Sequence, residues 1–271
     1  MVSSAAMMSR NQSLQLLLAL LALFIGVLLW MEPIPQPQAY HRFADTRGLF
    51  GIPNFLDIGT NAAFLLVGAY ALIQLLRRRQ RIFRKTEDAR PYLAFFLSIF
   101  VVSFGSGWYH IEPTNDSLLW DRIPIATAFM SLTAAMVADR IDARAGNGWL
   151  LAVLLIVGIA SLIYWNWSES LGRGDLRFYG LVKFYPILAL PLIVWLFPKH
   201  HYFSGGYLAW IFAWHTLALV FEKFDHEIFE LTGELASGHS LKHLAAGAAC
   251  WLVYRMLCVA GERETCPDEK K

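Results

Sequence analysis

Charge is what this chain most lacks. Only 16% of its 271 residues are Asp, Glu, Lys or Arg, against about a quarter in soluble domains, while 56% are hydrophobic. That balance excludes an ordinary soluble fold and points to an integral membrane protein. Cysteine is scarce as well. The three present, Cys250, Cys258 and Cys266, crowd towards the C-terminus without C-x-x-C spacing. This excludes a disulfide framework and a cysteine-based zinc site. A basic surface is also missing: 23 Lys and Arg stand against 21 Asp and Glu. The basic residues gather in one short loop and at the ends of apolar runs, so nucleic acid is not an expected partner. The chain shows no internal repeat and no soluble domain.

What is present is a series of apolar runs. The first, 14–30, is near the lower length limit for a membrane span. No A-x-A cleavage pattern follows it, which favours an uncleaved anchor, with a secretory signal as the alternative. Further runs cover 55–76, 91–109, 120–138, 149–164, 181–197, 207–221 and 239–259. The expected fold is therefore an all-α integral membrane protein: a seven-transmembrane-helix core with one additional N-terminal span. Residues 1–30 form the anchor span (or signal), and 31–53 form a polar, Pro-rich connector. Residues 54–259 form the seven-span core, and 260–271 a polar cytoplasmic tail. Lys and Arg concentrate on the segments that face the cytoplasm when both termini are placed inside, as the positive-inside rule requires. Trp165, Trp167 and Tyr179 flank one loop, as expected at a membrane interface.

Against this background a few polar residues stand out. The third run ends Ser106-Gly-Trp-Tyr-His110, the fourth opens Asp121-Arg-Ile-Pro124, and the eighth opens His239-Ser-Leu-Lys-His243. Residues four apart share one helix face, with Cβ atoms about 5–6 Å apart, so each pair can aim two side chains at one point. The layout puts all five residues at the same, outer, membrane face. Three histidines that leave a coordination position open are a catalytic zinc arrangement. Zinc on His110, His239 and His243 would bring the pKa of a bound water to about 7. Asp121 could then take the water's proton and pass it to a leaving group, and Ser106 could donate a hydrogen bond to an oxyanion. A site just inside the membrane suits a lipid carrying an amide or ester at headgroup level.

Each residue also has a duller reading. A single H-x-x-x-H is weak as a metal motif, and a histidine at a span end is often interfacial. Ser106 could bond back to its own helix, with Gly105 and Gly107 marking close helix packing, and Asp121 could be an N-cap. In the second span, Asn54 reads as a cap, with Asp57, Thr60 and Asn61 as interhelical hydrogen-bonders or neighbours of a site. His41, His200, His201 and His226 fall in loops, and His215 is mid-span and away from the cluster. Five polar groups converging on one face nevertheless favour a metal site, because ionisable residues inside a membrane are costly and usually functional.

At these residues the chain resembles the alkaline ceramidases and the wider superfamily of seven-span membrane hydrolases to which they belong. The resemblance covers roughly 43–258. It rests on Gly105-Ser106-x-x-x-His110, Asp121-x-x-Pro124 and His239-x-x-x-His243 in that order, with Asn54-Phe-Leu-Asp57-Ile-Gly-Thr60-Asn61 resembling the start of the family's first core span. It implies a zinc ion on the three histidines, catalytic roles for Ser106 and Asp121, and hydrolysis of a ceramide-like lipid to a sphingoid base and a fatty acid. The chain departs from the family where animal members hold a regulatory calcium. Asp45, Asn54 and Asp57 are the residues left there for calcium or for supporting the zinc ligands, and Arg122 stands where the family often has an acidic residue. The alternatives are a zinc-dependent lipid ester or acyl hydrolase, and a non-enzymatic seven-span receptor-like lipid-binding protein with structural zinc. The expected location is a bacterial inner membrane with the site towards the periplasm, the alternative being an endoplasmic reticulum or Golgi membrane.

Overall fold

The computed structural model describes residues 8–265; Cys266 and the rest of the expected tail lie outside the described residues. Among the described residues there is no strand. The helices are α1 (Arg10–Trp30), α2 (Phe55–Thr60), α3 (Ala62–Ile82), α4 (Arg90–Ile111), α5 (Asn115–Arg140), α6 (Ala143–Gly146), α7 (Trp149–Ser170), α8 (Arg177–Leu196), α9 (Gly205–Lys223), α10 (Asp225–Leu231) and α11 (Gly238–Thr265). The last helix runs on into the segment expected to be a polar tail.

Six stretches are long and apolar enough to cross a membrane. They are α1, α2 with α3, α4 with the turn before it, α7, α8 and α11. The two other expected spans, α5 and α9, are long helices of the same bundle but less apolar, for a physical reason. α5 packs on α4, α7 and α8, and it buries Ala126, Ala128, Ser131, Ala134 and Ala135 along its length. A helix enclosed by other helices needs small side chains for close approach more than it needs lipid-compatible ones. α5 also carries Asp121 and Arg122, both buried. α9 is diluted by Gly205, Gly206 and His215.

Both ends of the bundle are tied. At the end remote from the histidine motifs, the buried Arg140 guanidinium donates to the Phe197 and Phe203 carbonyls, each at 2.6 Å. Beside it, Asp139 accepts from the backbone N–H groups of His201, Tyr202 and Phe203. The run of arginines closing α3 lies at this end. At the other end the Pro-rich connector does more than link. The Ile34 carbonyl accepts from Leu176 N–H at 2.9 Å. The Gln36 N–H donates to Glu169 at 2.6 Å. His41 bridges the Tyr109 hydroxyl and Asn115, each at 2.9 Å. The connector is thereby drawn over the ends of α4, α5 and α7. α1 stands at the edge against α8, where Tyr185 donates to the Leu17 carbonyl at 3.1 Å.

A candidate metal centre at the end of the bundle

α4 finishes on His110, and α11 begins with His239 and His243 in its first two turns. The start of α11 is set by contact with α9 and α10. A Cβ on Gly238 would lie 2.2 Å from the Phe221 carbonyl oxygen, so only glycine lets the helix begin there. The Asp225 carboxylate accepts from the His239 N–H at 2.7 Å and from the Ala44 N–H at 2.9 Å. One side chain thus holds the first turn of α11 and the connector together.

The three imidazoles meet. His110, His239 and His243 each offer a ring nitrogen, and these atoms lie within 4.8 Å of one another. The ring centroids are 4.8, 5.2 and 4.9 Å apart. All three residues are buried. Neither ring nitrogen of His110 has a hydrogen-bond partner, an arrangement that is costly for a buried polar group. A shared metal ion resolves that cost, so the residues present fit a metal held by three imidazoles. Among the described residues this is the one group of three His, Cys, Asp or Glu side chains close enough to share an ion.

The surroundings orient the ligands. The Asn54 amide donates to the His110 carbonyl at 2.7 Å. The side chain of Asn54 makes no helix cap; the residue sits in the left-handed region at φ 46° and reaches across to α4 instead. Thr60 Oγ1 lies 3.0 Å from His243 Nδ1. Asp57 accepts from Ser237 at 3.0 Å and Ser240 at 2.6 Å, locking α2 to the turn that precedes the two histidines. Phe43, from the connector, packs its ring 4.6 Å from that of His110 and 4.8 Å from that of His239, closing the triad off on that side.

Asp121 is not an N-cap. Thr114 caps α5 with a capping box, and Asp121 lies in the second turn, buried. Ser106, on α4, faces the same cavity as its carboxylate. Ser106, Asp121 and His243 share the wall of a cavity of about 190 Å³. Its depth is apolar, lined by Phe95, Leu132, Leu190 and Val253, and its polar end holds Tyr40, Glu222 and Lys242. Lys242, between the two histidines of α11, pairs with Glu222 at 2.6 Å, and Tyr40 donates to the same carboxylate at 3.1 Å. His110 and His239 sit behind this wall, under Phe43.

Some expectations need amending. His215, read from sequence as remote, lines this cavity and packs edge-on to Phe129. Asp45, Asn54 and Asp57 are not gathered on one ion but are committed to separate partners. Both oxygens of Asp45 are engaged by the Arg47 guanidinium, at 2.8 and 2.7 Å. Asn54 and Asp57 support the histidine segments. Glu222, Lys183 and Lys242 were not singled out from sequence, because single charged residues near span ends look alike until the helices are assembled. Comparison of the chain with family models and with curated protein sequences returns no match.

Proposed function

We propose that this protein is a zinc-dependent membrane lipid amidase of the alkaline ceramidase type, which hydrolyses the amide of a ceramide-like lipid to a sphingoid base and a fatty acid. One observation carries the reading: three buried imidazoles cluster at the end of the bundle, and one of them, His243, shares with the Asp121 carboxylate and the Ser106 hydroxyl the wall of a cavity that is otherwise largely apolar. A soluble-substrate enzyme has no use for such a depth, whereas an acyl chain fills it.

A zinc ion on His110, His239 and His243 supplies Lewis acidity that brings the pKa of a water to about 7. Asp121 accepts the proton of the attacking water and delivers it to the departing amine as the C–N bond breaks. Ser106 donates its hydrogen bond to the oxygen of the attacked carbonyl as that oxygen gains charge. The acyl chain lies along Phe95, Leu132, Leu190 and Val253, which exclude bulk water. A matched ester lipid presents the same carbonyl to the same groups, so the two bonds are to be tested side by side.

In this reading α5 and α9 cross the bilayer with the six more apolar stretches. Both termini then face the cytoplasm, and the histidines lie towards the outer face, periplasmic if the membrane is a bacterial inner membrane. The support is that α9 packs lengthwise on α11 and α5 on α4, and that the arginines of α3 and the histidine triad occupy opposite ends.

The experiment is elemental analysis of purified protein beside a His239→Ala/His243→Ala variant, followed by assay on ceramide and a matched ester. About one zinc per chain, lost in a variant that stays folded, together with release of fatty acid, is the expected result. A folded wild type without metal that stays inactive after zinc is added would overturn the reading.

A further inference from the structure

We infer that Arg122 and Lys183 form an anion subsite in the wall of this chamber, so that the lipid it accepts carries a carboxylate or phosphate close to the bond that is cut. Calling that lipid a substrate rests on the hydrolase reading; the subsite itself rests on the cavity.

The wall holds three cations, Arg122, Lys183 and Lys242, and two carboxylates, Asp121 and Glu222. Lys242 and Glu222 are joined at 2.6 Å, and Asp121 shares the wall with the Ser106 hydroxyl. One positive charge is therefore in surplus before any metal is counted. An uncompensated cation inside a protein is costly, and an arriving anion removes that cost.

Arg122 is placed for such a role. It is only 7% exposed. Its guanidinium lies among three rings, 5.2 Å from the centroid of Tyr40, 4.8 Å from Trp165 and 5.2 Å from Tyr179. Those faces hold the planar fork in one orientation but offer no carboxylate, and the Tyr40 hydroxyl donates its proton to Glu222. Nη1 is buried with no hydrogen-bond partner. Lys183 enters from the opposite side, in the second turn of α8, where its ammonium lies 5.6 Å from the Phe184 ring. No carboxylate among the described residues forms an ion pair with it. It faces Arg122, Asp121, Glu222 and Lys242 across the chamber. A guanidinium fork and an ammonium suit a planar carboxylate or a phosphate.

Position narrows the chemistry. Arg122 directly follows Asp121, and both line the cavity, so a bound anion sits at the headgroup end, away from Phe95 and Leu132. An uncharged ceramide leaves the surplus positive charge of Arg122 and Lys183 uncompensated. An N-acyl amino acid or a phosphorylated sphingolipid satisfies them. The preferred lipid is therefore an acidic amide lipid.

The test uses the full, metal-loaded chain in detergent. Binding of laurate, dodecyl phosphate and dodecanol is followed by the fluorescence of Trp165 and its neighbours, and hydrolysis is compared for an N-acyl amino acid, ceramide phosphate and ceramide of equal chain length. Wild type should bind an acidic probe about ten- to a hundredfold more tightly than dodecanol. Lys183→Met should collapse that ratio, and Arg122→Lys should reduce it. Lys183→Met is the primary variant because Arg122 also packs among three rings. Selective binding of laurate or of dodecyl phosphate supports the subsite and tells carboxylate from phosphate. Acid-selective binding with no turnover of any lipid leaves the subsite standing and removes the hydrolase reading. Equal affinity for acidic and neutral probes, or a ratio unchanged by Lys183→Met, overturns the subsite even if ceramide is hydrolysed.

Discussion

The Thr60 hydroxyl of α2 lies 3.0 Å from Nδ1 of His243 on α11, and this contact engages one imidazole nitrogen and leaves the other free. Thr60 Oγ1 already donates within its own helix, to the Leu56 carbonyl at 2.9 Å or to the Asp57 carbonyl at 3.2 Å. With its own proton on either carbonyl, the hydroxyl accepts from Nδ1–H, which is the tautomer a metal on the other nitrogen requires. That leaves the Nε2 lone pair of His243 for a metal, since a partner on one ring nitrogen fixes the tautomer and makes the other the ligand. Thr60→Val keeps the shape and removes the acceptor. Zinc affinity should fall about ten- to a hundredfold while Thr60→Ser stays near wild type, as read by competition with a fluorescent chelator. Equal affinities for the valine and serine variants would show that the tautomer is set elsewhere.

Asp121 and Ser106 share a cavity wall with His243, and neither is among the imidazoles that fit the metal. Their removal should therefore separate chemistry from metal binding. Asp121→Asn should lower kcat by about 10²–10⁴, and Ser106→Ala by about 10²–10³, both with zinc content unchanged. Combining them should cost less than the product of the two, because the groups serve one proton-transfer and charge-stabilising event. A receptor-like protein with a structural metal would bind its lipid unchanged in both variants. Near-normal hydrolysis by Asp121→Asn would remove that residue from the mechanism.

The histidine cluster was legible in sequence because helix periodicity is local: His239 and His243 share a face whatever surrounds them, and the order of the apolar runs put His110 at the same end of the bundle, where the three imidazoles meet. The supporting groups were only half legible. Asn54, Asp57 and Thr60 stood out as polar residues opening a span, but whether they cap, bridge or ligate depends on α4 and α11 arriving beside them. Asn54 was read as either a cap or a support for the site, and its side chain donates to the His110 carbonyl rather than capping its helix. Of the eight expected spans, six are long and apolar enough to cross a membrane by themselves. Helix α5 faces protein along much of its length, so its hydropathy reports neighbours rather than lipid, while α9 is diluted by Gly205, Gly206 and His215. Phe43, Ala44 and His41 were invisible as site residues, since nothing in a Pro-rich connector says that it folds back over the histidines.

Gly105, next to Ser106, sets the distance between α4 and α5. A Cβ there would lie 2.2 Å from the Trp120 carbonyl oxygen and 3.3 Å from the Asp121 Cα, whereas Gly107 has nothing within 4 Å of its own Cβ position. Backbone cannot move aside as a side-chain tip can. Gly105→Ala should cost about 1–3 kcal/mol, a fall of several degrees in Tm, and should impair turnover by displacing Asp121 from Ser106. Gly107→Ala should match wild type in both respects. Thermal unfolding in one detergent measures the pair. Equal behaviour of the two variants would mean that the helices separate freely.

Arg47 occupies Asp45 where a calcium ion could otherwise bind. Hydrogen bonds from the Arg47 side chain hold the Asp45 carboxyl below its usual range. A depressed folded pKa stabilises above the unfolded value, about 3.9 for Asp, and that contribution disappears as pH falls through the folded value. Wild type should therefore exceed Arg47→Ala in Tm near neutral pH, and the two should converge in acid. Added calcium should leave the wild-type Tm unmoved, while a zinc-selective chelator lowers it. Stabilisation of wild type by millimolar calcium would show that a guanidinium is not the resident cation there.

Phe43 covers the triad from the connector side, with its ring against His110 and His239 and only 6% exposed. The Phe43 ring supplies no ligand, so its contribution to the metal is kinetic and dielectric: it blocks water from approaching the imidazoles on the face opposite the chamber. Phe43→Ala leaves a void that water can enter, because the His110 ring nitrogen not used for the metal has no hydrogen-bond partner in the protein. The rate of zinc loss to excess chelator should rise by about an order of magnitude, and Phe43→Leu should restore most of the barrier because it refills the space with apolar atoms. Stopped-flow chelation separates this from a change in the ligands themselves, which would also slow rebinding. Identical release rates in wild type and Phe43→Ala would place the path of metal exchange through the lipid chamber, past Ser106 and Asp121, and would make occupancy of that chamber the factor that controls metal retention.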